Sequence, residues 1–211
     1  MSTGPAGQIS SPVTLPRRIV LTGFMGAGKS TVGRILAARL HWPFVDIDSL
    51  ITAEHGRTVA QIFADHGEEH FRRLEAEAIA RFLDPLHQDP LHMHEQAVVA
   101  LGGGAIETEA VRQLLFPETA SEMETVTIYL SAPLSELLAR CHVGQADPEE
   151  APVRPLLTAP ESPEDRLARR LPHYRRAHLT VDTGGIAAVA VVDRILAWLA
   201  ASSSTSPRPD R

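Results

Sequence analysis

Gly23-Phe24-Met25-Gly26-Ala27-Gly28-Lys29-Ser30-Thr31 decides how this chain is read. The stretch fits the phosphate-binding loop pattern G-x-x-x-x-G-K-[ST]. Its flanks agree with that pattern. Arg18-Ile19-Val20-Leu21-Thr22 before it is a short β-branched apolar run, which predicts a buried parallel strand. After it, Val32, Ile35, Leu36 and Leu40 recur at helical spacing. Strand, glycine loop and helix are what anion binding needs. Glycines let backbone N–H groups curl round a phosphate, and the helix offers its positive end. The backbone of Gly26, Ala27 and Gly28, with Lys29, Ser30 and Thr31, is therefore the expected nucleotide site. Lys29 can reach the β- and γ-phosphates, and the Ser30 hydroxyl can sit on Mg²⁺. Lys29 is also the only lysine in the sequence, every other fixed cation being arginine. A compact ammonium on a flexible stem is thus kept where it suits a phosphate.

The chain has 211 residues, 44 % of them hydrophobic, enough for one α/β domain with a real core. A net charge of −6 argues against general nucleic-acid binding and makes local arginines necessary for any anionic ligand. The lone Cys141 permits no intrachain disulfide and suits a reducing compartment. No apolar run approaches the roughly 18–20 residues of a membrane span. Residues 1–16 lack the regions of a signal peptide and, rich in Ser, Thr, Gly and Pro, predict a disordered lead-in. The stretch 201–211 predicts a disordered tail.

Strand and helix then alternate. Phe44-Val45 predicts a second strand ending in Asp46-Ile47-Asp48, with helices over 49–54, 58–64 and 68–83. Ala97 to Leu101 predicts a third strand, closed by Gly102-Gly103-Gly104 and followed by a helix from Glu107 to Leu115. Strands over 125–130 and 179–181, and helices over 133–141, 164–177 (interrupted by Pro172) and 186–200, complete the pattern. Five buried strands alternating with helices imply a parallel sheet covered on both faces. Ligands of such sheets lie off the carboxyl ends of the strands. There the phosphate loop, the Asp46/Asp48 pair and the three glycines are expected together. Asp46 and Asp48 would share a face while the chain is extended. One acid near a Mg-nucleotide is an ordinary partner of the metal's shell. A second can hold an acceptor hydroxyl or take its proton. Capping of a helix from Ser49 is the other use for these acids.

Several blocks together resemble shikimate kinases. They are Gly23-Phe24-Met25-Gly26-Ala27-Gly28-Lys29-Ser30-Thr31-Val32-Gly33-Arg34, Phe44-Val45-Asp46-Ile47-Asp48, Ile62-Phe63, Gly67-Glu68-x-x-Phe71-Arg72-x-x-Glu75, Leu101-Gly102-Gly103-Gly104-Ala105, Val153-Arg154-Pro155-Leu156-Leu157 and Arg170-x-Pro172-x-Tyr174. They run in order over about residues 17–200. The resemblance implies a P-loop NTPase of the nucleoside-monophosphate-kinase-like fold, its five-stranded parallel sheet in the order 2-3-1-4-5. It implies a single kinase domain over 17–200, with a substrate-binding subdomain near 48–83 and a lid near 142–163. The implied reaction is transfer of the ATP γ-phosphate to the 3-hydroxyl of shikimate, in aromatic amino acid biosynthesis. The implied enzyme is a cytoplasmic monomer without nucleic-acid or membrane partners.

The same resemblance assigns roles. Asp48 would hold the shikimate hydroxyls and serve as base. Arg72 and Arg170 would clamp the carboxylate, a planar anion that suits guanidinium forks. Gly103 would give a backbone N–H, with Gly102 and Gly104 beside it, and Phe63 and Phe71 would wall the ring. Ser30, with Asp46 in the outer shell, would hold Mg²⁺. Arg154 would close on the lid and spread charge on the transferred phosphoryl group, and Arg140 would stack on adenine. Three departures stand out. The lid segment is long and acidic, with Glu149 and Glu150 before Arg154. The loop Thr183-Gly184-Gly185-Ile186 lacks the Arg or Pro common in the family's adenine loop. An inserted stretch carries His87, His92 and His94, read as solvated surface. A related small-molecule kinase such as a gluconate kinase shares the phosphate loop but gives no reason for both Arg72 and Arg170. A non-catalytic kinase-like module should have lost Lys29, Asp48 or Arg154, and all three are present.

Overall fold

The computed structural model describes residues 15–83, 96–117, 125–143 and 161–203. Arg154, the His87/His92/His94 stretch, most of the expected lid and most of both expected tails lie outside the described residues. Five strands form one parallel sheet: β1 Arg18–Thr22, β2 Phe44–Asp46, β3 Ala97–Ala100, β4 Thr125–Ser131 and β5 Leu179–Asp182. Their order is β2-β3-β1-β4-β5, as the resemblance implied. The helices are α1 Lys29–Leu40, α2 Ile47–His55, α3 Val59–Leu83, α4 Glu109–Leu115, α5 Leu134–Val143, α6 Pro163–Tyr174 and α7 Ala188–Ser203.

Alternation along the strands builds two cores. Ile19 and Leu21 of β1 point to one face, packed with Leu36 of α1, Leu137 of α5 and Ile195 of α7. Val20 points to the other, packed with Ile51 of α2, Phe71 and Ile79 of α3, Val111 of α4 and Tyr174 of α6. Strands buried on both faces read as continuous apolar runs because helices cover each side. Among the described residues no helix is long and apolar enough to cross a membrane.

Some boundaries differ from the sequence reading. The helices expected at 58–64 and 68–83 are the two halves of α3, broken at Gly67, whose φ of 79° and ψ of 172° are non-helical. A 3₁₀ turn, Ala105–Glu107, precedes α4 in place of one helix from Glu107. Pro172 does not interrupt α6; it lies inside the helix, in its last turn. The closing helix reaches Ser203, three residues into the expected tail.

The main correction concerns Asp46 and Asp48. They do not lie on extended chain with a shared face. The strand ends at Asp46, whose Oδ1 accepts the Ser49 N–H at 3.3 Å and caps α2. The cap turns the chain into helix at once, so Asp48 sits in the first turn of α2. Residues two apart on a helix do not face each other, so the two acids point to different partners.

Candidate active site

Strand register brings the site together. Leu21 of β1 and Asp46 of β2 both pair with Ala100 of β3, so the three strands end in one row. The phosphate loop, the Asp46 turn and the three-glycine turn leave from that row side by side.

Gly28 caps α1 in the left-handed region, with φ 86°, and supplies no side chain to accept the first-turn N–H groups. An L side chain is disfavoured there, and the uncapped N–H groups suit a phosphate. Lys29 Nζ donates to the carbonyls of Gly23 at 2.9 Å and Phe24 at 3.1 Å, holding the ammonium across the loop. Ser30 Oγ donates to Asp46 Oδ2 at 2.6 Å. Asp46 therefore caps α2 with one oxygen and accepts from Ser30 with the other. A hydroxyl and a carboxylate oxygen side by side, next to a phosphate loop, are the hard donors that Mg²⁺ prefers, so these residues fit the metal.

The three-glycine turn is where the candidate substrate residues meet. A Cβ on Gly102 would lie 2.7 Å from Asp48 Oδ1 and 2.1 Å from Glu75 Oε1. The Gly103 carbonyl accepts Arg170 Nη1 at 3.1 Å and the Tyr174 hydroxyl at 2.7 Å. A Cβ on Gly104 would lie 2.1 Å from Arg72 Nη2. Three consecutive residues thus each abut one predicted contact: Asp48, Arg170 and Arg72. The turn also borders the phosphate loop, a Cβ on Gly103 lying 3.4 Å from the Met25 nitrogen. Side chains at Gly102 and Gly104 would fill the space these polar groups occupy.

Arg72 is half-buried and held by carboxylates. Its Nη1 donates to Glu75 Oε2 at 2.6 Å and its Nη2 to Glu68 Oε1 at 3.0 Å. Burial works against its charge, but Glu75 and Glu68 outweigh that and raise its pKa. The guanidinium lies 6.0 Å from the Phe63 ring centroid and 5.5 Å from that of Phe71, and the two rings stand 4.9 Å apart. Phe63, Phe71 and Arg72 therefore form one wall. Arg170 is 1 % exposed, lies over the Phe24 ring and pairs with Glu107 through Nε at 2.8 Å and Nη2 at 2.6 Å. Arg140 does not stand apart at the adenine side. Its Nη1 donates to Thr183 Oγ1 at 3.1 Å and its Nη2 to the Thr183 carbonyl at 2.7 Å. Glu136, which pairs with Arg140 at 3.1 Å, accepts the Gly185 N–H at 3.0 Å. Arg140 and Glu136 together pin the loop that lacks the family's Arg or Pro.

Sequence reasoning left Glu75 and Glu107 without roles. Glu75 stood in a quoted motif, three residues after Arg72, and that helical spacing is the signal that could have paired them. It is fully buried, and its Oε1 has no hydrogen-bond partner among the described residues. Burial pushes its pKa up to about 7, with Arg72 opposing and Asp48 adding to the rise. Glu107 and Arg170 are 63 residues apart, and no local spacing announces their pairing.

Comparison with known proteins points to one family. A family model described as shikimate kinase matches residues 25–200. A shikimate kinase of Geobacter metallireducens is 37 % identical over 194 residues, covering 90 % of this chain and 96 % of that one. One of Mycobacterium leprae is 38 % identical over 192 residues, covering 89 % of this chain and 85 % of its own. The solved shikimate kinase of Acinetobacter baumannii, in complex with shikimate, superposes with a TM-score of 0.69 at 32 % identity, covering 90 % of this chain and 96 % of that one. A gluconokinase of Sinorhizobium meliloti superposes with a TM-score of 0.52 at 20 % identity, a likeness of fold alone.

Proposed function

This chain belongs to the shikimate kinase family, and from that membership we propose how its own residues divide the work. The enzyme transfers the γ-phosphoryl group of ATP to the 3-hydroxyl of shikimate. One observation carries the assignment of residues: Asp48, Arg170 and Arg72 converge on the three-glycine turn, which itself borders the phosphate loop.

The loop backbone from Gly26 to Gly28, the start of α1, Lys29, Ser30 and Thr31 cradle the ATP phosphates. Ser30 would hold Mg²⁺ directly and Asp46 would hold it from the outer shell. When bound, the ion neutralises charge on the β- and γ-phosphates. Arg72 and Arg170 grip the shikimate carboxylate, Phe63 and Phe71 wall its ring, and the Gly103 N–H donates to it. Gly102 and Gly104 leave the ring room to approach. With the ring so fixed, Asp48 accepts the proton of the attacking hydroxyl as the new P–O bond forms in line with the breaking one. Arg154, from the lid, spreads charge on the transferred group. Arg140 shapes the adenine side through Thr183. The enzyme works in the cytoplasm as a monomer, with two small-molecule substrates as its partners.

ADP release with ATP and Mg²⁺, with and without shikimate, tests this reading in the wild type and in Asp48→Ala. Release should require shikimate and fall about 10²–10⁴-fold in the variant, the usual worth of a positioned base. Nucleotide binding without shikimate-dependent release would replace the reading with a non-catalytic module or another acceptor. An Arg170→Ala enzyme with unchanged shikimate KM would remove the carboxylate assignment.

A further inference from the structure

We propose that Glu107 is a positioning residue for the substrate carboxylate, acting through Arg170. The inference rests on the reading of Arg170 as a carboxylate contact. It stands on where the donors of Arg170 go. A guanidinium carries five N–H groups and no acceptor. In Arg170 the Nε–H and one Nη2–H go to Glu107 Oε2, and one Nη1–H goes to the Gly103 carbonyl. The Tyr174 hydroxyl also meets the guanidinium. Glu107 thus occupies the Nε–Nη2 edge of the guanidinium and turns Nη1 toward the three-glycine turn, the side from which a carboxylate would be gripped.

The burial of the pair gives the arrangement force. Arg170 is 1 % exposed, so its charge is costly without partners. Glu107 is the carboxylate that the described residues place in contact with it, and the Phe24 ring covers one side. Glu107 is itself anchored twice. It ends the 3₁₀ turn that follows the three glycines, and its other oxygen pairs with Arg169. Arg169 in turn donates to Glu161 through Nε at 3.1 Å and Nη2 at 2.7 Å, at the foot of α6. Neighbouring arginines would repel one another if Glu107 did not lie between them. The chain Arg170–Glu107–Arg169–Glu161 therefore fixes a long, rotamer-rich side chain in one geometry before substrate arrives, which spares that ordering cost on binding.

Glu107→Gln keeps the shape of the side chain and one acceptor while losing its charge. It should raise the shikimate KM about tenfold, the usual scale for losing one charged partner, and leave the ATP KM unchanged. Glu107→Asp, with the charge retained, should recover part of the loss. Shikimate methyl ester, which has no carboxylate charge to grip, separates positioning from general damage. The Glu107→Gln penalty should shrink for the ester, whereas a folding defect would penalise both substrates alike. In an Arg170→Ala background, Glu107→Gln should add nothing. An unchanged shikimate KM in Glu107→Gln, an equal rise in both KM values, or an equal penalty on acid and ester would each overturn the proposal. If Arg170→Ala alone leaves the shikimate KM unchanged, the carboxylate assignment itself fails. If it raises KM while Glu107→Gln does not, only the positioning role falls.

Discussion

Glu75 is a carboxyl whose chemistry its place in the sequence did not announce. A carboxyl with no exposed surface lies between Arg72, which favours its charge, and Asp48, which opposes it. Burial wins, and the group titrates at about 7 instead of its ordinary 4.5. Below 4.5 both folded and unfolded chains hold the proton. Between 4.5 and 7 the unfolded chain gives it up while the folded chain keeps it, so stability falls as pH rises through that window. At 1.36 kcal/mol per unit the full loss approaches about 3 kcal/mol. Urea denaturation of the wild type and Glu75→Gln at pH 5 and pH 8 checks this. The wild type should lose stability relative to the variant on the alkaline side, and a gap independent of pH would refute the assignment. Asp46 carries a complementary lesson. Two acids two residues apart were readable as a functional pair, but the cap that redirects Asp48 depends on where the strand ends. Strand ends are set by the neighbouring strand, not by the residues alone.

The three-glycine turn behaves as an element in its own right. At Gly102 and Gly104, Asp48, Glu75 and Arg72 occupy the places where side chains would be. Gly104→Ala would put a methyl group 2.1 Å from Arg72 Nη2. The guanidinium is the far end of a flexible side chain and can move, so the fold should survive while the wall it forms with Phe63 and Phe71 is displaced. Steady-state kinetics should therefore give a shikimate KM raised about tenfold or more, since small misplacements of positioning groups are costly. The ATP KM should stay near the wild-type value. Equal effects on both would mean that the turn serves the fold alone. The glycines announced close approach in the sequence. That Glu75 is one of the groups approaching them was not announced, because it arrives on α3, a helix distant in the chain.

Across the molecule, acid and base limits on stability come from different places. His178 enters β5, and the Thr127 N–H donates to its Nδ1 at 3.0 Å. Burial holds its pKa below the ordinary value, so the folded protein keeps it neutral. As pH falls through the ordinary histidine pKa the unfolded chain is protonated first, and stability is lost on the acid side. His178→Asn retains an acceptor for Thr127 without a titrating group. Its melting temperature should fall less than that of the wild type between pH 7 and pH 5, and parallel declines would refute the role. The two-faced core was readable because buried apolar runs alternate with helices along the chain, whereas the sheet order came only from the resemblance of the motif blocks. The pairing of Arg170 with Glu107 and of Arg140 with Thr183 was not, since each joins elements that only the finished fold brings together.

The solitary lysine has a practical meaning as well. Its ammonium is folded over the Gly23 and Phe24 carbonyls, and the bond after it opens the first turn of α1. An endoprotease that cuts after lysine has a single target in all 211 residues, and that target is helical while the nucleotide loop is formed. Two fragments on a gel would report exposure of this one bond. Selective isotopic labelling of lysine would likewise give one ammonium resonance, assigned by the sequence itself to this loop.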